Sequence, residues 1–217
     1  RIGRETDWYA RHQQYLDRVA DRARPYLYYI VDEAERRGIP TEIALLPIVE
    51  SAFQPFAYSP GRASGIWQFI PATGKTYGLK QNWWYDGRRD MYTATKAALD
   101  YLRYLGDRFD DDWLLALASY NSGEGRVSRQ IAKQKARNKP TDFWSLSLPR
   151  ETRAYVPKML GLRCLFENPE KYDFTLPNIT NTPQVVVIDT GTQTDLVLAA
   201  QLAEMPISEL YALNSGY

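Results

Sequence analysis

The chain has one cysteine and one histidine in 217 residues. Cys164 therefore has no partner for an internal disulfide, and with His12 as the sole histidine no Cys/His zinc cluster can be assembled. The expectation is chemistry without a metal or cofactor. An excess of one charge sign is also missing: 27 Lys and Arg face 26 Asp and Glu, a net charge of +1. Neutralising a nucleic-acid backbone needs far more positive charge, so nucleic acid is excluded as an expected partner. No apolar run approaches the roughly 20 residues of a membrane span. The opening Arg1-Ile2-Gly3-Arg4-Glu5 does not read as a secretory leader, which suggests a mature or trimmed chain. A missing disulfide neither demands nor forbids an oxidising compartment.

The remaining composition is that of an ordinary globular protein, with 44% hydrophobic and 24% charged residues, so disorder and fibrous repeats are not expected. This length buries one substantial core and leaves about forty residues for an appendage. Aromatic residues are plentiful, with 16 Tyr and 6 Trp. Their flat amphipathic faces suit sugar rings, but suit cores and interfaces equally well.

Helical periodicity dominates the first 173 residues. Leu16, Val19, Ala20 and Ala23, then Tyr26, Leu27, Ile30 and Val31 beyond Pro25, predict two helices between Trp8 and Arg37, or one kinked at the proline. Gly38-Ile39-Pro40 stops that element, and Thr41 is expected to cap a helix running to Glu50. Ser51 to Ser64 reads as an irregular loop returning to Gly65-Ile66-Trp67-Gln68-Phe69, so that loop and helix end line one cavity. Ala94, Ala97, Ala98, Tyr101, Leu102 and Leu105 form the strongest helical stripe, expected to be central and buried. A second buried helix follows Asp112 and ends at Gly123, and Pro149 opens another to about Phe166. Asp110-Asp111-Asp112 lacks the alternation of a calcium loop and is better read as helix capping.

The character changes after Tyr172. Residues 174–183 form a Pro/Thr/Asn linker, Val185-Val186-Val187-Ile188 reads as a short strand, and Thr194 and Ser208 are expected to cap two short helices. Strand, helix, helix leaves the strand without a partner, as in a module cut before its last strand.

Glu50 is the residue with the clearest chemical potential. It follows the apolar run Leu45-Leu46-Pro47-Ile48-Val49, which would desolvate its carboxyl and raise its pKa above the ordinary value of ~4.3. A carboxylic acid still protonated near neutrality can donate a proton to a glycosidic oxygen. The plain alternative is a capping or surface glutamate.

Four blocks then occur in order: Glu50-Ser51; Gly65-Ile66-Trp67-Gln68; Ser119-Tyr120-Asn121-Ser122-Gly123 with Glu124-Gly125-Arg126-Val127; and Glu151-Thr152-Arg153-Ala154-Tyr155-Val156. Each is a weak signal by itself, but four with compatible spacing between residues 50 and 156 are specific. Together they resemble the catalytic domain of the soluble lytic transglycosylase family, related in fold to goose-type lysozyme. The segments Leu45 to Phe53 and Gly65 to Phe69 look most like the family's membrane-bound D-type subgroup. Ile66-Trp67 departs from the wider family, where Leu-Met is usual.

The resemblance implies a mainly α, lysozyme-like α+β domain over residues 1–173, followed by a linker at 174–183; the tail at 184–217 separately resembles the start of a glycan-binding LysM module, a partial βαα segment, in Val185 to Ile188, Asp195 to Leu202 and Ile207 to Asn214. The family resemblance implies cleavage of the β-1,4 bond between N-acetylmuramic acid and N-acetylglucosamine without water, closing a 1,6-anhydro ring. Glu50 would serve as acid and then base, with the substrate's acetamido group in place of a second carboxylate. Ser59 would contact that acetamido group, and Gln68 would hydrogen-bond the glycan. Tyr120, Asn121 and Tyr155 would frame the acid, and Ser51 and Glu151 would stand behind it. Each has a plain alternative: Ser59 as a turn hydroxyl, Asn121 as a helix end, Tyr155 as a core residue, Glu151 as a helix N-terminal charge. Trp83, Trp84 and Tyr85 form an aromatic cluster expected to pack in the core rather than on sugar. The implied partners are peptidoglycan glycan strands. The implied setting is the periplasm, with a monomer tethered to the outer membrane in the full-length protein. Two rival readings share the fold: a hydrolase using water as acceptor, and a non-catalytic glycan-binding scaffold.

Overall fold

The computed structural model describes residues 1–217 and is mainly helical. Where the sequence predicts two helices before Arg37 there are three: α1 (Ile2–Ala10), α2 (Gln13–Ala23) and α3 (Leu27–Arg36). The unforeseen break lies at His12, whose ring stacks on Trp8 and hydrogen-bonds the Trp8 carbonyl oxygen at 2.6 Å. That local contact ends α1 as a cap would. The helix expected from Thr41 is also different. Pro40 takes the capping position, residues Thr41–Leu45 wind as a 3₁₀ turn, and only then does α4 (Leu46–Ser51) begin. Pro47 has no N–H to bond four residues back, so it is favoured in the first turn of a helix, where that donor has no partner, and α4 starts there.

Two short helices were not legible: α5 (Pro71–Thr76) and α8 (Glu124–Lys135). Between them come α6 (Met91–Arg108) and α7 (Trp113–Ser122), as expected. Asp90 and Asp112 cap α6 and α7 through their side chains, while Asp111 pairs with Arg103. Gly123, at φ 85°, both ends α7 and turns the chain into α8. The last helix of the body, α9 (Arg150–Glu167), follows Pro149.

The core is built around α6 and α9. Ala98, Leu99, Leu102 and Leu105 of α6 and Val156, Leu162 and Leu165 of α9 have no exposed surface. Burial of this kind contributes about 2 kcal/mol for each large aliphatic side chain. Gly161 lets α1 lie directly on α9, for a Cβ there would stand 2.9 Å from the Glu5 side chain.

No strand forms. The β part of the expected α+β class is three isolated bridges, Tyr58–Ser64, Ser64–Phe69 and Gln81–Asp86. Val185–Ile188 is irregular, with Val186, Val187 and Ile188 exposed, because no neighbouring chain satisfies its backbone. The two tail helices, α10 (Leu196–Leu202) and α11 (Ile207–Leu213), do form. Their starts differ from expectation: Asp195, not Thr194, caps α10, and Pro206 precedes α11, leaving Ser208 inside its first turn. Trp83 and Trp84 are another correction. They are 89% and 80% exposed, not core, because the Asn82 side chain accepts from the N–H groups of Trp84 and Tyr85 and turns the chain outward.

Candidate active site

A cleft of about 1030 Å³ opens between two unlike walls. One wall is helical, with the end of α4, the end of α7 and the first turns of α9. The other is the irregular loop of residues 57–69 with the start of α5. All the expected contact residues, Glu50, Ser59, Gln68, Tyr120, Asn121 and Tyr155, line it, as does Glu151.

Glu50 occupies the last turn of α4, which stops because Ala52 and Phe53 adopt positive φ. Phe53 is fully buried, and Arg22 donates to the Ala52 carbonyl oxygen at 3.0 Å, so this unfavourable backbone is held from both sides. Ser51 does not reach the cleft. Its hydroxyl hydrogen-bonds the Ile66 carbonyl at 3.0 Å and so ties the Glu50 helix to the opposite wall.

The Glu50 carboxyl meets α9 at Tyr155, whose hydroxyl donates to Oε1. Burial pushes the Glu50 pKa up to about 7; the Tyr155 hydrogen bond opposes this, and the nearby Glu151 charge adds to it. Burial wins, so Glu50 carries its proton into the neutral range. Burial first, and the Glu50 charge second, hold the Tyr120 and Tyr155 phenols well above their ordinary range. Both tyrosines are therefore donors: Tyr155 to Glu50, and Tyr120 to the Trp67 carbonyl at 2.8 Å.

The remaining residues serve architecture and cleft together. Asn121 accepts from the Thr152 hydroxyl at 2.8 Å, and its amide lies 3.5 Å from Glu151, joining α7 to α9. Gln68, at φ 50°, uses its amide N–H to bond the Gly65 carbonyl at 2.8 Å and the Ala57 carbonyl at 3.4 Å, which leaves its carbonyl oxygen for a ligand. Ser59 accepts from the Ala63 N–H at 3.1 Å, the turn role, while facing the cleft. Its two readings are thus compatible.

The sequence reading missed Tyr101 and Glu124, which line the cleft and bond each other at 3.1 Å, and Arg150 and Lys158. Tyr101 was visible only as part of a core stripe. Arg150, Ala154 and Lys158 recur every fourth residue, a spacing that could have placed them on one face of α9.

This architecture has known counterparts. Residues 28–143, more than half of the chain, match the family described as the transglycosylase SLT domain. The chain is 46% identical over 216 residues to membrane-bound lytic murein transglycosylase D of Escherichia coli, covering all of this chain and 48% of that protein. It therefore spans about half the length of that relative. It is also 40% identical over 183 residues to a putative tributyltin chloride resistance protein of Alteromonas, covering 82% of this chain and 86% of that one. Among solved structures, the 70 kDa soluble lytic transglycosylase of Escherichia coli superposes with a TM-score of 0.52 at 27% identity, over 64% of this chain and 24% of that one. The shared fold is lysozyme-like. With the family matched across its central helices and the cleft described above, the chain belongs to the transglycosylase SLT domain family.

Proposed function

We propose that the protein is a peptidoglycan lytic transglycosylase with Glu50 as its acid and base. The observation that carries this reading is a glutamic acid with a pKa of about 7, backed by a tyrosine hydroxyl and facing a cleft large enough for several sugar rings. The names of the relatives supply the substrate class.

In the proposed reaction Glu50 gives its proton to the glycosidic oxygen as the bond from C1 of N-acetylmuramic acid to that oxygen breaks. The acetamido oxygen of the same sugar closes on C1 and holds the positive charge, so no second carboxylate is needed. Glu50, now ionised, accepts the Tyr155 hydrogen bond at its strongest, because a charged acceptor strengthens it. The carboxylate then takes the proton of the C6 hydroxyl, O6 displaces the acetamido oxygen at C1, and a 1,6-anhydro ring closes. Glu50 ends protonated, ready for the next turnover, and no water is consumed. Ser59 faces the acetamido group, and Gln68 holds the neighbouring sugar through its free carbonyl oxygen.

The same reading places the protein in the cell envelope, where its substrate lies, acting as a periplasmic monomer attached to the outer membrane in the full-length protein. The test is mass spectrometry of peptidoglycan digested by the chain. Anhydromuramyl ends, lighter than reducing ends by one water, are expected. Reducing ends would assign hydrolysis instead, and no cleavage would leave only a glycan-binding scaffold.

A further inference from the structure

The loop wall of the cleft is pinned from behind by a polar network that ends in the tail. Gly65 runs so close to the chain at Arg88 that a Cβ there would lie 1.9 Å from the Arg88 carbonyl oxygen. The Arg88 side chain is only 8% exposed and donates into the wall twice, to the Arg62 carbonyl at 2.7 Å and to the Phe69 carbonyl at 3.2 Å. Arg89 adds a bond to the Ser64 hydroxyl at 3.1 Å.

Arg88 is itself held. Asp86 grips its guanidinium with both carboxylate oxygens, at 2.9 and 2.7 Å, a planar two-pronged pair that fixes direction as well as charge. The backbone on either side of this pair is tied to the end of the chain. Asp86 N–H donates to the Gly216 carbonyl at 2.7 Å, and the Ser215 hydroxyl donates to the Arg89 carbonyl at 2.8 Å. Ser215 is 2% exposed, Tyr217 packs on Tyr85 with ring centres 5.1 Å apart, and the Tyr26 hydroxyl bonds the Ala212 carbonyl at 3.1 Å. A Cβ at 216 would stand 2.7 Å from the Tyr85 ring and 3.2 Å from Asp90 Cβ, so any side chain there makes the ring or the tail shift.

We infer that residues 212–217 are a brace of the glycan-binding wall, with Arg88 as the positioning residue that transmits their hold to residues 62–69. The tail end is then part of the catalytic unit, whatever residues 184–211 do. The helical wall carrying Glu50 and Tyr155 receives none of the Arg88 or tail bonds and meets the braced segment only where Ser51 and Tyr120 bond the Ile66 and Trp67 carbonyl groups, so the brace acts first on recognition.

The substrate side of this inference rests on the transglycosylase reading, so the experiment has an arm that does not. In the full chain, Gly216→Val forces the tail away from Tyr85 while leaving every cleft residue in place; Arg88→Lys, which keeps the charge but loses the fork, is the companion variant. Hydrogen exchange at the amides of residues 59–69 is expected to quicken by about threefold or more in Gly216→Val, the size of couplings carried through packed networks, while amides of α9 keep their rates. Kinetics on soluble peptidoglycan glycan strands are expected to show a similar rise in KM, with kcat and its pH profile unchanged. A lowered melting temperature with unchanged loop exchange would overturn the brace, and so would a fall in kcat at constant KM. If the wild-type chain neither binds nor cleaves glycan, the transglycosylase reading fails while the exchange arm still decides the brace.

Discussion

The two walls of the cleft are made by different physics. The helical wall sets Glu50, Tyr120, Asn121 and Tyr155 on elements whose other faces are core, so rotamers are fixed by close packing. The loop wall buries Ala63, Ile66, Trp67 and Phe69, but its irregular backbone has no helical ladder and is held by bonds to its own carbonyl groups from Gln68, Ser51, Tyr120 and Arg88. Proton transfer tolerates errors of tenths of an ångström, which packed helices supply. Sugar recognition needs exposed polar groups, which an irregular backbone supplies.

The largest effect should come from Glu50 on the helical wall. Glu50→Gln keeps size and polarity but carries no titrating proton, so kcat is expected to fall by about 10²–10⁴ while glycan affinity measured by calorimetry holds. The same variant should be more stable than the wild type at neutral pH. The folded protein holds the Glu50 proton up to about 7, against about 4.5 for a solvated glutamate. Stability from that proton is full below about 4.5 and lost as pH rises through 7, a loss of up to about 3 kcal/mol that glutamine escapes. Denaturant titrations at pH 4 and pH 8 check this: the gap between variant and wild type should appear only at the higher pH.

Next comes the loop wall. Gly65→Ala meets the Arg88 carbonyl and an unfavourable φ of 77°, so a loss of about 3 kcal/mol or more is expected in thermal unfolding. Tyr155→Phe removes a hydrogen bond that favours ionised Glu50. The alkaline limb of kcat/KM should then move upward in pH and kcat should fall roughly tenfold, the worth of one bond to a charged acceptor. Ser59→Ala should raise KM about fivefold with no shift of the pH profile, the worth of one neutral bond. Smallest of all, Glu151→Gln should shift the alkaline limb downward, because the Glu151 charge raises the Glu50 pKa. If Ser59→Ala moved the pH profile, or Tyr155→Phe moved only KM, the division of labour between the walls would be wrong.

How far this could be read from the sequence follows the same division. The apolar stripe at Ala94–Leu105 and the Asp112 and Gly123 boundaries located α6 and α7, and the run Leu45–Val49 signalled a desolvated Glu50. These are local signals, repeated every turn. The break at His12 was not legible because it depends on one ring stacking on Trp8, and α5 and α8 are too short or too polar to show a stripe. Val185–Ile188 has strand-forming residues but no partner, and sheet formation is a property of pairs. Arg88 was overlooked because its role lies in carbonyl groups 19 and 26 residues away, which no spacing rule exposes. Trp83 and Trp84 were assigned to the core on residue type alone, whereas the Asn82 turn decides their direction.

Burial at the floor of this cleft keeps one carboxyl protonated near neutrality. Carbon-13 NMR titration of side-chain-labelled glutamate in the free protein, with Glu50→Gln to assign the resonance, measures that proton directly. A midpoint near 7 is expected for Glu50. A midpoint in the ordinary carboxylate range, near 4.5, would mean that Glu50 is ionised at neutrality and is not the acid.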